Sequence, residues 1–150
     1  MGVLNTMADS RNGMGPTLSD NDAMVFAVIR SANGPLSAYD ILDRIKPDRP
    51  RIAPPTVYRA LDHLIAGGLV RRIESLNAYL TADDRAPGSV VFAICDDCGR
   101  VQQRDARAEV ARLTKALKRD GFHPTHPMVE VHGRCGDCDA GANTVAGGKP

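Results

Sequence analysis

Ala53-Pro54-Pro55-Thr56-Val57-Tyr58-Arg59-Ala60-Leu61-Asp62-His63-Leu64-Ile65, closed by Gly67-Gly68, is the stretch that decides how the chain is read. Two prolines suit the first turn of a helix, where a missing N–H costs nothing and φ is already right. Val57, Leu61, Leu64 and Ile65 recur at helical spacing and form one stripe for burial. Tyr58, Arg59, Asp62 and His63 fall on the opposite face. An aromatic ring beside a guanidinium near a helix N-terminus suits the groove of a duplex. Arginine takes guanine bidentately, and an aromatic can lie on a thymine methyl. A surface helix whose Tyr58 and Arg59 merely shield a core has the same spacing, so the surroundings must decide.

Those surroundings are basic. From Arg44 to Arg72, seven basic residues (Arg44, Lys46, Arg49, Arg51, Arg59, Arg71, Arg72) face only Asp48 and Asp62, although the whole chain carries a formal charge of only +1. Clustering beside a candidate reader helix favours phosphate contacts over a merely solvated face. Upstream, Ser19-Asp20-Asn21-Asp22 supplies N-cap chemistry for a first helix with the stripe Val25, Val28, Ile29 and Ala32, ended by Asn33-Gly34-Pro35. Ser37 caps a second, with Asp40 in a capping-box position and the stripe Ala38, Ile41, Leu42 and Ile45. Three short helices with a tight connection before the third form a helix-turn-helix arrangement. Downstream, Leu69 to Glu74 and Asn77 to Leu80 read as two strands around a Ser75-Leu76 turn, a wing. The candidate DNA contacts are Thr56, Tyr58 and Arg59 on the helix, Arg51 before it, and Arg71 and Arg72 on the wing.

Residues 81–89 contain no apolar run and read as a hinge. Beyond it, Val90 to Ile94 is a buried-strand pattern leading into Cys95, and a second strand runs from Arg100 to Gln103. A helix marked by Val110, Leu113, Thr114 and Leu117 ends at Gly121, and Pro127 to Val131 leads towards Cys135. So thin a unit cannot bury much surface alone, and pairing with a second copy is expected. The fold class is α+β: a winged-helix domain over 19–80, then a small α/β dimerisation domain over 90–138. Residues 1–18 read as a flexible tail and 139–150, rich in Gly and Ala, as a disordered one.

All four cysteines fall in two C-x-x-C pairs, Cys95/Cys98 and Cys135/Cys138. The two-residue gap lets both thiolates of a pair meet one ion across a tight turn, and Gly99 removes a side chain where the backbone folds under the sulfurs. Two pairs complete a closed tetrahedral site suited to structural zinc, one ion per subunit. Two disulfides or two redox pairs are the alternatives. Redox C-x-x-C motifs usually open a helix in a thioredoxin-like pattern, which neither pair here does. His123, His126 and His132 lie in one short stretch and are candidates for a weak metal site; ordinary surface histidines fit the same spacing. No nucleophile–base arrangement or Gly-rich phosphate loop stands out, so the chain reads as no enzyme. No segment is apolar enough for a membrane span or a signal peptide, and the expected setting is the cytoplasm.

Leu36-Ser37-Ala38-Tyr39-Asp40-Ile41-Leu42 and the Ala53–Asp62 stretch together resemble the ferric uptake regulator family. Ile73-Glu74-Ser75-Leu76-Asn77-Ala78-Tyr79 and Val129-Glu130-Val131-His132-Gly133-Arg134-Cys135 are most similar to its zinc uptake regulator branch. The resemblance implies a homodimeric winged-helix repressor that reads an A·T-rich pseudo-palindrome in double-stranded DNA. Tyr58 and Arg59 would be its base readers, and the four cysteines its structural zinc ligands. It also implies a sensory metal site across the hinge. The ligands there are a His in the first wing strand, a Cys or His just beyond the second, a His before the first cysteine strand and a Glu after the first C-x-x-C. The matching positions here hold Arg71, Ala82, Gly88 and Gln103, none a good zinc ligand. The sequence therefore leaves two readings: a metal-responsive repressor of metal-uptake genes, or a member without the regulatory metal that acts constitutively or by heterodimerisation.

Overall fold

In the computed structural model, which describes residues 17–84, 88, 90–125 and 127–143, each of the first two helices opens on a reciprocal cap. The Ser19 hydroxyl accepts from the Asp22 N–H at 3.2 Å, and the Asp22 carboxylate accepts from the Ser19 N–H at 3.2 Å. Two otherwise open donors are satisfied, and α1 (Asp20–Ser31) follows. Ser37 and Asp40 repeat the device at 2.9 and 3.1 Å to start α2 (Ala38–Ile45). These bonds hold the Asp40 carboxyl below its usual range. The third helix, α3 (Pro54–Ala66), carries its two prolines in the first turn and has no side-chain cap. It ends in a Schellman motif. The Gly68 N–H reaches the Ile65 carbonyl, the Leu69 N–H reaches the Leu64 carbonyl, and Gly68 sits at φ 71°, where a side chain would be strained.

The three helices close on an aliphatic core that includes Val25, Ile29, Ile41, Ile45, Val57, Leu61 and Leu64. Ile65, expected in the buried stripe of α3, is instead 37% exposed, and Ala60 takes the buried place. At roughly 100° per residue Ile65 lies about 80° round the helix from Val57, at the edge of the buried face.

A wing follows, with β1 (Val70–Ile73) antiparallel to β2 (Ala78–Thr81), Val70 opposite Thr81 and Ile73 opposite Ala78. Its turn is closed by the Asn77 N–H on the Glu74 carbonyl at 3.2 Å, with Asn77 at φ 46°, and the expected Ser75-Leu76 pair sits at its centre. Leu36 bridges to Tyr79 through both backbone groups, at 2.9 and 2.8 Å, which ties the α1–α2 connection to the wing.

In the C-terminal unit, β3 (Val90–Cys95) is central, with β4 (Val101–Asp105) antiparallel on one side and β5 (Val129–Gly133) parallel on the other. The return to β5 runs through α4 (Arg107–Arg119). A last helix, α5 (Gly136–Asn143), corrects the expectation of a disordered tail from residue 139. The Asp139 N–H bonds the Cys135 carbonyl at 2.9 Å, so the second cysteine pair, expected to open no helix, itself starts one, with Asp137 and Asp139 at the favourable positive end. The remaining tail positions, 1–16 and 144–150, and hinge residues 85–87 and 89 lie outside the described residues.

The wing belongs to both units. Val70 faces the helical core, whereas Ile73, an odd number of residues on, faces the opposite way and joins Val90, Phe92 and Ile94 in a second core. Tyr79 and Leu80 divide in the same manner. Leu64 is fully buried at the centre of the first core. Leu64→Ala should therefore lower the unfolding free energy by about 2–5 kcal/mol in a chemical denaturation curve, whereas loss of the α2 cap in Ser37→Ala should cost about 1 kcal/mol.

Candidate nucleic-acid interface and metal centre

The outward face of α3 carries Tyr58, 40% exposed, next to exposed Arg59. Arg51, in the turn before the helix, is also exposed, and Thr56 in the first turn is half-buried. Pro54 and Pro55 lack N–H groups and the Thr56 N–H bonds the Ala53 carbonyl at 3.0 Å, so the helix entrance offers few backbone donors to an anion, but its first turn carries no carboxylate to repel a phosphate. His63, on the same helix, turns towards α1, with its Nδ1 3.4 Å from an Asp22 oxygen. Burial raises the pKa of Asp22, but the Ser19 and His63 contacts outweigh it and leave the carboxyl below its usual range.

The two wing arginines part company. Arg72 stays at the wing turn, with Nη2 donating to Asn77 Oδ1 at 3.1 Å and lying 3.3 Å from the Glu74 carboxylate. Arg71, the other wing residue expected on the DNA face, has different surroundings. It shares the strand side of Ile73, is half-buried, and its Nη1 donates to the Gly88 carbonyl at 3.2 Å. The side chain points into the C-terminal unit because alternate residues of a strand face opposite ways.

The four cysteines come together. Their sulfurs all lie within 4.8 Å of one another, and the Cys98 and Cys135 sulfurs are 3.7 Å apart. Zinc bonded at about 2.3 Å to four tetrahedral thiolates sets them about 3.8 Å apart, so the residues fit that ion. The backbone is built for anions: the Cys135 N–H donates to the Cys95 sulfur at 3.3 Å, and the Gly99 N–H, at a residue with φ 71°, bonds the Cys95 carbonyl at 2.9 Å. The Cys135 N–H holds the Cys95 thiol down to about 6, whereas Cys138, bonded to the sulfurs of Cys135 and Cys98, is pushed up to about 12. Arg100–Asp137 and Arg134–Asp97, each at 2.6 Å, clamp the two cysteine loops to each other.

Of the three histidines expected as a weak metal site, two lie among the described residues. His132 has both ring nitrogens engaged, Nδ1 with Asp96 Oδ1 at 2.8 Å and Nε2 with Ser75 Oγ at 2.9 Å. His123 is exposed, His126 lies outside the described residues, and among the described residues no metal-ligating group of three or more includes a histidine.

The positions expected for a sensory metal carry hydrogen bonds of the chain itself. Besides Arg71 on Gly88, Gln103 Nε2 donates to the Thr81 carbonyl at 2.8 Å and Gln103 Oε1 accepts from the Asp83 N–H at 3.4 Å, on either side of Ala82. The stem of Arg107 lies 2.5 Å from where a side chain on Gly88 would begin. Sequence reading missed Glu130, whose two carboxylate oxygens accept from the Glu74 and Ser75 N–H groups at 2.7 and 3.1 Å. An acid alternating with Val129 and Val131 was its only trace.

Comparison with known proteins follows this geometry. The ferric uptake regulator family model matches residues 15–132. The zinc uptake regulation protein of Escherichia coli (strain K12) is 35% identical over 116 residues, 76% of this chain and 68% of that protein. The solved structure of holo XcZur superposes with a TM-score of 0.74 at 41% identity, covering 82% of this chain and 86% of the other. A zinc uptake regulator complexed with zinc and DNA superposes at 0.77 and 32% identity, covering 83% and 85%. The chain belongs to the ferric uptake regulator family, whose members are transcription regulators, and to its zinc uptake regulator-like branch. Among the described residues no helix is long and apolar enough to cross a membrane.

Removal of the metal tests the cysteine cluster. Dialysis against a strong chelator should lower the melting temperature, read by circular dichroism, by roughly 10 °C or more, because zinc binding to such sites is worth about 10–16 kcal/mol. Cys135→Ser should be purified without stoichiometric zinc. An identical melting curve with and without the ion would show that it is no staple.

Proposed function

We propose that this chain is a sequence-specific DNA-binding repressor of metal-uptake genes, which reads an A·T-rich pseudo-palindrome as a homodimer. The observation that carries the reading is α3, whose buried stripe is filled while Tyr58 and Arg59 stand exposed beside Arg51. The likeness in fold to a regulator solved with zinc and DNA supports the same assignment. Thr56, Tyr58 and Arg59 enter the major groove, Tyr58 on thymine methyls and Arg59 on guanine, while Arg51 and Arg72 neutralise phosphates. Self-association is supported by the apolar surface of the C-terminal unit: Leu113, Phe122, Met128 and Val131 are 49%, 60%, 45% and 52% exposed. Cys95, Cys98, Cys135 and Cys138 hold one structural zinc per subunit, a closed site with no open position for chemistry.

A second element of the reading concerns control. The bonds of Arg71 and Gln103 fill the sensory positions, which favours a member that works without a regulatory metal, constitutively or paired with another regulator.

Two measurements check these assignments. Arg59→Ala should relax base preference in a mobility-shift series and weaken binding to the preferred duplex by about 1–3 kcal/mol, while the wild-type affinity falls steeply with salt. Equilibrium dialysis should find one tight zinc per subunit, and DNA affinity at fixed salt should not respond to further zinc. A second tight ion bound after the cysteine site is full would sink the non-sensing reading.

A further inference from the structure

The wing turn does not stand free of the C-terminal unit. Glu130 on β5 takes two of its backbone N–H groups, from Glu74 and Ser75, residues 56 and 55 positions away in sequence. His132, two residues along the same strand, reaches the Ser75 hydroxyl and is itself steadied by Asp96. From β4, Gln103 holds the Thr81 carbonyl and the Asp83 N–H at the far end of β2. The wing is thus gripped at both ends of its length, mostly by its main chain.

We infer that Glu130, with Gln103 and His132 beside it, is a positioning residue for DNA binding: it docks the wing turn on β5 and so fixes the attitude of the reader helix relative to the rest of the subunit. The path to α3 is short. The Leu69 N–H bonds Leu64 of α3, the Ala82 N–H bonds the Leu69 carbonyl, and Val70 packs in the core with Val57, Leu61 and Leu64. A wing held on β5 therefore carries α3 with it. Two reader helices that must meet half-sites at a set spacing lose affinity for every freedom left at the hinge. A carboxylate receiving two backbone N–H groups forms charge-assisted bonds, stronger than neutral ones. Burial raises the pKa of Glu130, but the bonds from Ser75 and Glu74 outweigh it, so the acceptor stays ionised well into acid. This inference rests on the DNA-binding reading of α3.

The test uses the full chain loaded with zinc, and a duplex selected from random sequence by the wild-type protein. Glu130→Ala is compared with wild type by amide hydrogen exchange and by duplex affinity. The Glu74 and Ser75 amides should exchange about tenfold faster or more, and affinity should fall about tenfold, with zinc content and dimer elution unchanged. In Glu130→Gln, which keeps one carbonyl acceptor, one of the two amides should stay protected and affinity should fall less. Ser75→Pro changes no residue of the C-terminal unit, removes both the Ser75 N–H held by Glu130 and the hydroxyl held by His132 at a turn position that accepts proline, and should weaken binding likewise. Unchanged exchange in Glu130→Ala, or faster exchange with affinity unaltered in both Glu130→Ala and Ser75→Pro, overturns the proposal. Should the wild-type protein select no duplex, the DNA-binding reading fails separately, and the exchange data still decide whether Glu130 docks the wing.

Discussion

Two strands of four residues each are covered on both faces, and the rest of the structure depends on that sharing. Strand geometry sends Val70 and Tyr79 to the helical core and Ile73 and Leu80 to the core of the C-terminal sheet. An isolated two-stranded hairpin is marginal in water, so the wing needs at least one of these cores to exist. The second core, with Val90, Phe92 and Ile94, is small and takes its fully buried Ile73 from the wing. Each unit therefore completes the other, and a change that loosens the wing is felt on both sides of the hinge.

The cysteine cluster belongs to the same economy of burial. A three-stranded sheet with Val110 as the sole buried residue of α4 has little apolar area of its own. Four thiolates around one ion replace the missing core with a point constraint that joins the end of β3 to the start of α5. The arginine–aspartate pairs between the two loops are exposed, and solvent screening leaves them little weight in stability. Their use is orientation. The apolar side chains left outside, Leu113 and Val131 among them, are what a second copy would cover.

Much of this was legible because it was local. Ser37 with Asp40 three residues on, two prolines at a helix entrance, Gly67-Gly68 at its exit and two C-x-x-C pairs each announce their structure within a few residues. What escaped was set by tertiary partners. Arg71 reads as one of two neighbouring wing cations, yet strand parity puts it with Ile73, and only a wing covered on both faces makes that side an interior. Asp139 to Asn143 have the composition of a tail and become helical because Cys135 is anchored beside Cys98. Ile65 matches helical spacing, but it lies at the edge of the buried face of α3 and stays 37% exposed. The bonds that Glu130 and Gln103 make carried no signal, since their partners are main-chain groups that any sequence possesses.

That last point bears on control. A metal bridge between two units is a ligand: it shifts the balance of poses only as far as its affinity for them differs, and its occupancy follows the free ion. Bonds from Glu130 to the Glu74 and Ser75 N–H groups, and from Gln103 to Thr81, have no free concentration to follow. They hold one pose at every zinc level that keeps the cysteine site filled. On the non-sensing reading proposed above, a family fold whose hinge is bridged by its own side chains would lose its dependence on a second ion without losing the pose that the ion would have selected. On that reading, regulation would act elsewhere: on the filling of the cysteine cluster, on the amount of protein, or on the choice of partner subunit.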